Sequence, residues 1–257
     1  QIIDHMLFAP MNKKMIENFM DVPPKSGWSP YKGGWKVFPI GWVSMDKTAW
    51  DWSVQPWIFD VLLEVRKQLC QTRTGEKWLQ WQYLAQERYR LLYGEPDFVT
   101  SGGLKLKQKQ AGVQKSGCVN TLADNSIAQD ILHVRVCQEL NVPVTSQWTV
   151  GDDTYSEEPD KIQEYEELMK QFCHLKPIER NGEFAGFRFL RTPVVEPLYK
   201  GKHAFNLLHF DETNVDFIES YQLLYHRSND RLIKKALVQA AGVPNVPRLD
   251  QIWNGEC

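Results

Sequence analysis

The chain has 257 residues, 42% of them hydrophobic and 24% charged, an ordinary globular composition with enough length for one large domain or two small ones. Its net charge of -2 excludes a polycation, so any nucleic-acid binding has to use a local basic surface. No long apolar run marks a membrane span, and no charged-then-apolar segment opens the chain.

In chain order, residues 2–19 form a short apolar helix candidate, followed by the breaker-rich loop VPPKSGWSPYKGG. IGWVSMD reads as a strand whose alternation puts Trp42, Ser44 and Asp46 on one face. An amphipathic helix over 53–70 follows, with Val54, Trp57, Ile58, Val61, Leu62, Val65 and Leu69 on its apolar face and Asp51 available as its cap. A second helix spans 77–92. DFVTSGGLKLKQ is a hairpin around Ser101-Gly102-Gly103. A long helix over 118–140 turns Val119, Ile127, Ile131 and Val134 inward and stacks Thr121, Asn125 and Gln129 on its polar side. VTSQWTV is a strand, with Gly151-Asp152-Asp153 as the turn after it. A helix led by Pro159 carries Ile162, Tyr165, Leu168, Met169 and Phe172 inward. LKPIERNGEFAGFRFL forms a hairpin with Asn181-Gly182 at its tip, and residues 211–241 are mostly helical. This order suits an α+β fold, an antiparallel sheet backed by helices. The ten tryptophans, clustered between Trp28 and Trp81, read mostly as core.

Five scattered cysteines (Cys70, Cys118, Cys137, Cys173 and Cys257) contain no CxxC pair, which reads as reduced thiols of an intracellular protein. Starting at Gln1 without Met and ending without a recognisable tail, the chain reads as a piece of a longer polypeptide.

Chemistry concentrates in three segments. Asp46 and Asp51 stand in MDKTAWDWSVQ, Ser116, Gly117, Thr121 and Asn125 in KSGCVNTLADNS, and Asp152-Asp153 in the turn. Phosphoryl transfer from a nucleoside triphosphate needs charge neutralisation and in-line positioning, which two Mg²⁺ ions supply. Mg²⁺ takes carboxylates, waters and phosphates, so two or three Asp suffice. If the strands bearing Asp46 and Asp152-Asp153 are neighbours, these carboxylates converge at one sheet edge. Taken singly, each Asp reads more readily as a cap or turn residue; taken as an ordered set with the 116–125 segment, they do not. Ser116-Gly117 either starts the helix or lets backbone approach a ligand. Asn125 is either a surface amide or a partner for a ribose hydroxyl, and the 2′-OH distinguishes RNA from DNA precursors. Lys105, Lys107 and Lys109 alternate on one strand face, a solvated row or a phosphate-contacting one.

As an ordered set, D-x4-D, SG-x3-T-x3-N and GDD resemble motifs A, B and C of viral RNA-dependent RNA polymerases. MDKTAWDWSVQ, with an aromatic before the second Asp and WSVQ after it, is similar to the sobemovirus and polerovirus-like polymerases of positive-strand RNA viruses. FAGFRF (184–189) resembles the primer-gripping motif E hairpin, and Lys176 matches the motif D lysine, with Lys170 competing. The resemblance covers residues 40–190.

It implies a polymerase palm at 40–192 with a fingers insertion around 71–112, partial fingers at 1–39 and a partial, short thumb at 193–257. Asp46, Asp152 and Asp153 would bind two Mg²⁺ ions, for which Mn²⁺ can substitute. Asp51 and Asn125, supported by Thr121, would select the ribose. Ser116 and Gly117 would form the loop that moves as the nucleotide docks, Lys176 the general acid, and Lys105, Lys107, Lys109, Phe184 and Gly186 contacts to RNA. The implied activity is template-directed RNA synthesis in viral genome replication and transcription. The implied partners are an RNA template and nascent strand, nucleoside triphosphates and replication proteins of a parent polyprotein. The implied location is the host cytoplasm, in replication complexes. The basic fingers motif that contacts the triphosphate has no match here and is expected upstream of Gln1. The alternatives are a reverse transcriptase palm, disfavoured by Gly151 and Asn125, and a non-catalytic palm-like interaction domain, which carboxylates held apart would favour.

Overall fold

In the computed structural model, which describes residues 1–190, 193–209 and 214–256, the chain divides into two units, one of residues 1–27 and 45–178, the other of 28–44 and 179–257. The expected fingers, palm and thumb ranges are a finer partition than this one. The expected palm–thumb boundary at 192 lies outside the described residues.

The first unit opens with α1 (Ile2–Glu17). After Met45, the last residue of β1 (Val43–Met45), come the single turn α2 (Trp50–Ser53), α3 (Pro56–Gln68), α4 (Glu76–Tyr93), the hairpin β2 (Asp97–Val99) and β3 (Lys105–Lys107), the long α5 (Thr121–Glu139), β4 (Gln147–Val150), β5 (Asp153–Ser156) and α6 (Ile162–Met169). Arg88 on α4 clamps the buried Asp4 of α1 through two bonds of 2.6 and 2.9 Å, and Phe8 packs edge-on against Trp81 and Tyr89. The sheet order is β1–β5–β4, with β4 and β5 antiparallel.

Four sequence expectations change here. Asp51 does not cap the 53–70 helix. Pro56 holds Gln55 extended (φ -76°, ψ 147°), which splits that helix into α2 and α3 and leaves Asp51 inside α2. The buried face of α3 is Ile58, Phe59, Leu62, Leu63 and Arg66, while Val61 and Leu69 are exposed. Hydropathy could not include Arg66, whose charge is neutralised inside by Asp124 at 2.6 Å. On α5 the expected faces are exchanged. Val119, Ile127, Ile131 and Val134 are only half-buried, whereas Asn125 and Gln129 are buried beside Ala123, Ser126, Ala128 and Leu132. Small side chains let this face approach the sheet closely, and its polar groups largely hydrogen-bond inside. Finally, α6 starts from Lys161 (φ 54°), not from Pro159.

The second unit holds a 3₁₀ turn at Gly34–Lys36, then β6 (Glu183–Phe184), β7 (Phe187–Phe189) and β8 (Val195–Pro197) in antiparallel order, α7 (Lys200–Leu208), α8 (Val215–Tyr225), α9 (Arg231–Ala241) and α10 (Val246–Asn254). Residues 211–213 of the expected helical stretch lie outside the described residues, and the rest of it is α8 and α9 around a short break. Phe184 pairs with Phe187, so the hairpin tip is Ala185-Gly186 and not Asn181-Gly182. Both tip residues have positive φ (48° and 80°), as a two-residue turn matching strand twist requires. Asn181 instead accepts hydrogen bonds from the Glu183 backbone N–H and from Ser44 Oγ. Trp28, Phe38, Phe184 and Phe189 form an aromatic core, with Phe38 stacked on Phe189 at 3.9 Å. Of the tryptophans only Trp28, Trp50 and Trp253 are buried, and Trp52 is largely exposed. Cys70, Cys118, Cys137 and Cys173 are free thiols, and Cys257 lies outside the described residues. Among the described residues no helix is long and apolar enough to cross a membrane.

Candidate catalytic site

All the candidate catalytic, metal-binding and nucleotide-binding residues belong to the first unit, whereas Phe184 and Gly186 belong to the second. Val150 pairs with Asp153, so the β4–β5 turn contains only Gly151 and Asp152. Gly151 takes φ 64°, a conformation that costs glycine nothing. Its N–H donates to Ser126 Oγ at 2.9 Å, and the Ser126 hydroxyl donates onward to Leu122 O at 2.7 Å. The turn is thereby tied to the first turns of α5. Asp153 begins β5 and is half-buried, while Asp152 projects at the exposed tip.

Asp46 follows β1, on the neighbouring strand of the sheet, as the sequence reading requires. The segment 174–176 runs beside it. Lys176 N–H donates to Asp46 O at 2.9 Å, Thr48 N–H to His174 O at 2.9 Å, and the Lys176 ammonium pairs with the Asp46 carboxylate. Lys170 instead pairs with Glu166 and Glu167 on its own helix, at 2.9 Å each. Position therefore separates the two lysines.

Lys47 was not singled out from the sequence. Its side chain is 4% exposed and donates to Thr154 Oγ1 at 2.9 Å, and Thr154 donates to Met45 O at 2.7 Å. Burial lowers the Lys47 pKa, against the opposing charges of Cys173, Asp152, Asp153 and Asp46. The signal was present, because Lys47 shares the alternating face of Val43 and Met45, where a lysine is out of place. The Asp152 carboxyl is raised above the usual carboxylate range. Desolvation is the main cause, its own backbone N–H and Lys47 oppose it, and Asp51 and Asp46 add to it.

The second cluster centres on Asp51. Asn125 Nδ2 donates to Asp51 Oδ1 at 3.1 Å, the Ser116 hydroxyl bonds Asp51 Oδ2, and Trp50 Nε1–H donates to Asn125 Oδ1 at 2.9 Å. Asn125 is 6% exposed, which overturns the surface-amide alternative. Thr121 Oγ1 donates to Lys115 O and Cys118 O at 3.0 and 2.9 Å, so it braces the loop that carries Ser116 and Gly117. Gly117 takes φ 91° with open space around it, and Asn120, not Ser116, stands at the helix N-cap. Beneath this end of α5, the Asp124 carboxylate accepts from Arg66, Tyr89 and Tyr93 at 2.6 to 3.2 Å. The hydrogen bond from Trp50 to Asn125 and this buried network escaped the sequence reading, since hydropathy patterns assign no partners to polar groups.

Among the described residues no three carboxylate, imidazole or thiol groups gather closely enough to make a ready cage for a metal. Mg²⁺ does not need one, because it is commonly held by one or two carboxylates with waters and substrate phosphates. An oxygen-only donor set, with Asp152 raised partly by the charges of Asp51 and Asp46, fits a hard divalent cation.

The candidate RNA contacts are scattered. Lys105, Lys107 and Lys109 are exposed, but the strand ends at Lys107, which pairs with Glu95 at 2.8 Å. The Phe184 ring is 3% exposed inside the aromatic core, so it cannot offer its face to a base; the apolar side of a two-residue strand is easily mistaken for a binding surface. Gly186 lies at the hairpin tip.

The fold is that of the viral RNA-dependent RNA polymerases. A sicinivirus 3Dpol polymerase superposes with a TM-score of 0.69 at 14% identity, covering 97% of this chain and 59% of its own. The polymerase of a human picobirnavirus superposes at 0.65 and 14%, covering 99% and 55%. In sequence the chain is similar to the group that its motifs resemble. Protein P1-P2 of potato leafroll virus is 26% identical over 234 residues, covering 81% of this chain and 20% of that protein. The RNA-directed RNA polymerase of mushroom bacilliform virus is 28% identical over 189 residues, covering 70% and 44%. The chain thus spans less than half the length of either relative. No protein-family profile matches it.

Proposed function

We propose that this chain carries the palm of an RNA-directed RNA polymerase, a nucleotidyltransferase that copies viral RNA from nucleoside triphosphates. The reading rests above all on one arrangement. Adjacent strands bring Asp46, Asp152 and Asp153 to one sheet edge, next to a hydrogen-bonded Asp51–Asn125–Ser116 cluster. In this reading Asp46, Asp152 and Asp153 would hold two Mg²⁺ ions, which would supply charge neutralisation at the phosphates. Asp51 and Asn125 read the ribose, Thr121 stabilises the loop of Ser116 and Gly117, and Lys176 supplies the proton that leaves with pyrophosphate. The exposed lysines of β3 and the backbone at Gly186 contact RNA. We assign 1–39 to the fingers, 40–192 to the palm and 193–257 to the thumb. The site of action is the host cytoplasm, alongside replication proteins of the parent polyprotein.

A reverse transcriptase reading is disfavoured by the burial and bonding of Asn125, which prepare it to recognise a hydroxyl. A non-catalytic palm has no chemical need for all three of Asp46, Asp152 and Asp153, whose charges all act on the buried Lys47. The test is nucleotide incorporation on a homopolymer RNA template by an N-terminally extended polypeptide. Mg²⁺-dependent product from the wild type and none from Asp152→Asn is expected. Product formed equally by both would overturn the assignment.

A further inference from the structure

Asn125 is held between partners of opposite hydrogen-bonding character. The Trp50 indole N–H meets its Oδ1 at 2.9 Å, and its Nδ2 meets Asp51 Oδ1 at 3.1 Å. An indole N–H can only donate and an ionised carboxylate can only accept, so a single orientation of the amide satisfies both. The Trp50 side chain is itself fixed. It is 1% exposed and opens α2 after Ala49, whose φ is 51°. With Oδ1 committed to the indole, what Asn125 has left is its second Nδ2–H. Asp51 has left only acceptor capacity beyond its bonds to Asn125 and Ser116. A sugar substituent arriving here meets one donor and one acceptor, and a hydroxyl satisfies both at once.

The geometry points to Trp50 as a positioning residue for sugar selection: its indole N–H locks the Asn125 amide with Nδ2, not Oδ1, toward the incoming 2′ position, so it sets ribose preference without touching the nucleotide. This rests on the polymerase reading above. Without the indole N–H, Oδ1 becomes a buried carbonyl lacking a donor. The amide can regain a partner by turning Oδ1 toward the 2′-hydroxyl, at the cost of its bond to Asp51. That changes what the site accepts, so an acceptor-only 2′ substituent loses its donor.

The test uses two replacements at position 50 in a polypeptide that incorporates nucleotides. Benzothienylalanine keeps the bicyclic ring and removes only the N–H. Trp50→Phe removes the N–H together with one ring. Incorporation efficiencies are compared for UTP, dUTP and the 2′-fluoro and 2′-amino analogues, with unfolding temperature measured alongside. The ribose-to-deoxyribose ratio is expected to fall roughly fivefold to tenfold, the scale of one hydrogen bond. Turnover of UTP at saturation should stay within about twofold, because the altered contact is at the 2′ position and not at the reacting phosphate, so its loss is read in KM. The 2′-fluoro to 2′-amino preference should also fall, a change that loosened packing alone has no reason to produce. Unchanged sugar ratios in a benzothienylalanine variant that incorporates UTP normally would overturn the role of Trp50 alone. A wild type that incorporates no nucleotide would overturn the polymerase reading and this proposal with it.

Discussion

The two clusters on either side of Asp152 are built in opposite ways. On the Asp51 side, the Asp51, Asn125, Ser116, Trp50 and Thr121 side chains all have partners inside the protein. On the Asp46 side, negative charge accumulates. Asp152 is raised by desolvation and also by Asp51 and Asp46, and the cations beside it include a buried Lys47 bonded to a neutral hydroxyl and a half-exposed Lys176. A pre-satisfied network suits a neutral hydroxyl, which is recognised by fixed donors and acceptors. A group of carboxylates that raise one another suits a ligand that brings positive charge. Rigidity and electrostatic strain thus lie on different sides of one site.

The comparison breaks most sharply at Asp152. Asp152→Asn should abolish nucleotide incorporation, yet raise the unfolding temperature in chelator. The folded state holds this carboxyl above its unfolded value, so its stabilising effect is present only at acidic pH and is lost as pH rises through the folded pKa. At neutral pH the ionised group therefore opposes folding, and the amide relieves that. Scanning fluorimetry of both proteins in EDTA reads the effect, and a clear loss of stability in the variant would show that the carboxylate edge is not strained.

Lys176→Leu comes next. Loss of a general acid should slow single-turnover incorporation by ~10²–10⁴-fold with little change in nucleotide affinity. Both members of its pair with Asp46 are about half exposed, a setting in which ion pairs contribute ~0–1 kcal/mol, so the fold should persist. Lys170→Leu should incorporate normally, since Lys170 serves only α6. The reverse pattern would move the acid to Lys170. On the satisfied side, Asn125→Ala should narrow the preference for ribonucleotides, because a site built to bond a hydroxyl discriminates through its own unpaired groups. It should also cost about 1–3 kcal/mol in urea unfolding by orphaning the Trp50 indole N–H. Unchanged stability would mean that the amide carries no structural load.

Much of this site was legible in the sequence because its chemistry is local. D-x4-D, the Gly151 turn and the 3.6-residue spacing of Thr121 and Asn125 each specify positions within a few residues, and strand adjacency did the rest. What escaped was set by partners distant in the chain. Lys47, Arg66, Asp124 and Gln129 are polar residues on buried faces, three of them accommodated by groups 31 to 107 residues away. Hydropathy places such residues outside, and so the faces of α5 were exchanged. The hairpin tip at Ala185-Gly186 was missed for a different reason. Asn181-Gly182 is the stronger turn signal, but Leu175 and Glu179 bridge to Lys47 and Ser44, which removes them as partners for the strand after it.

The smallest expected effect is a pH response away from the carboxylates, in the body of α5. His133 Nε2 faces the carbonyl of Thr145 at 3.0 Å, which can only accept, so Nε2 carries the proton. Nδ1 is then the acceptor for the Tyr165 hydroxyl at 2.8 Å. Protonation would place a second donor against that hydroxyl in a buried pocket that also holds Cys137, with the Lys47 charge within reach. Burial accordingly lowers the His133 pKa, offset in part by the Thr145 carbonyl. Between the folded value and the unfolded value near ~6.5, the unfolded chain binds more protons, so stability falls as pH drops through that window. His133→Gln cannot titrate. The stability difference between wild type and this variant should therefore shrink from pH 7.5 to pH 5.5 in urea unfolding, whatever its size at the higher pH. A difference that stays constant would show that His133 keeps its neutral-state partners when protonated, and the coupling between α5 and α6 would then be indifferent to charge.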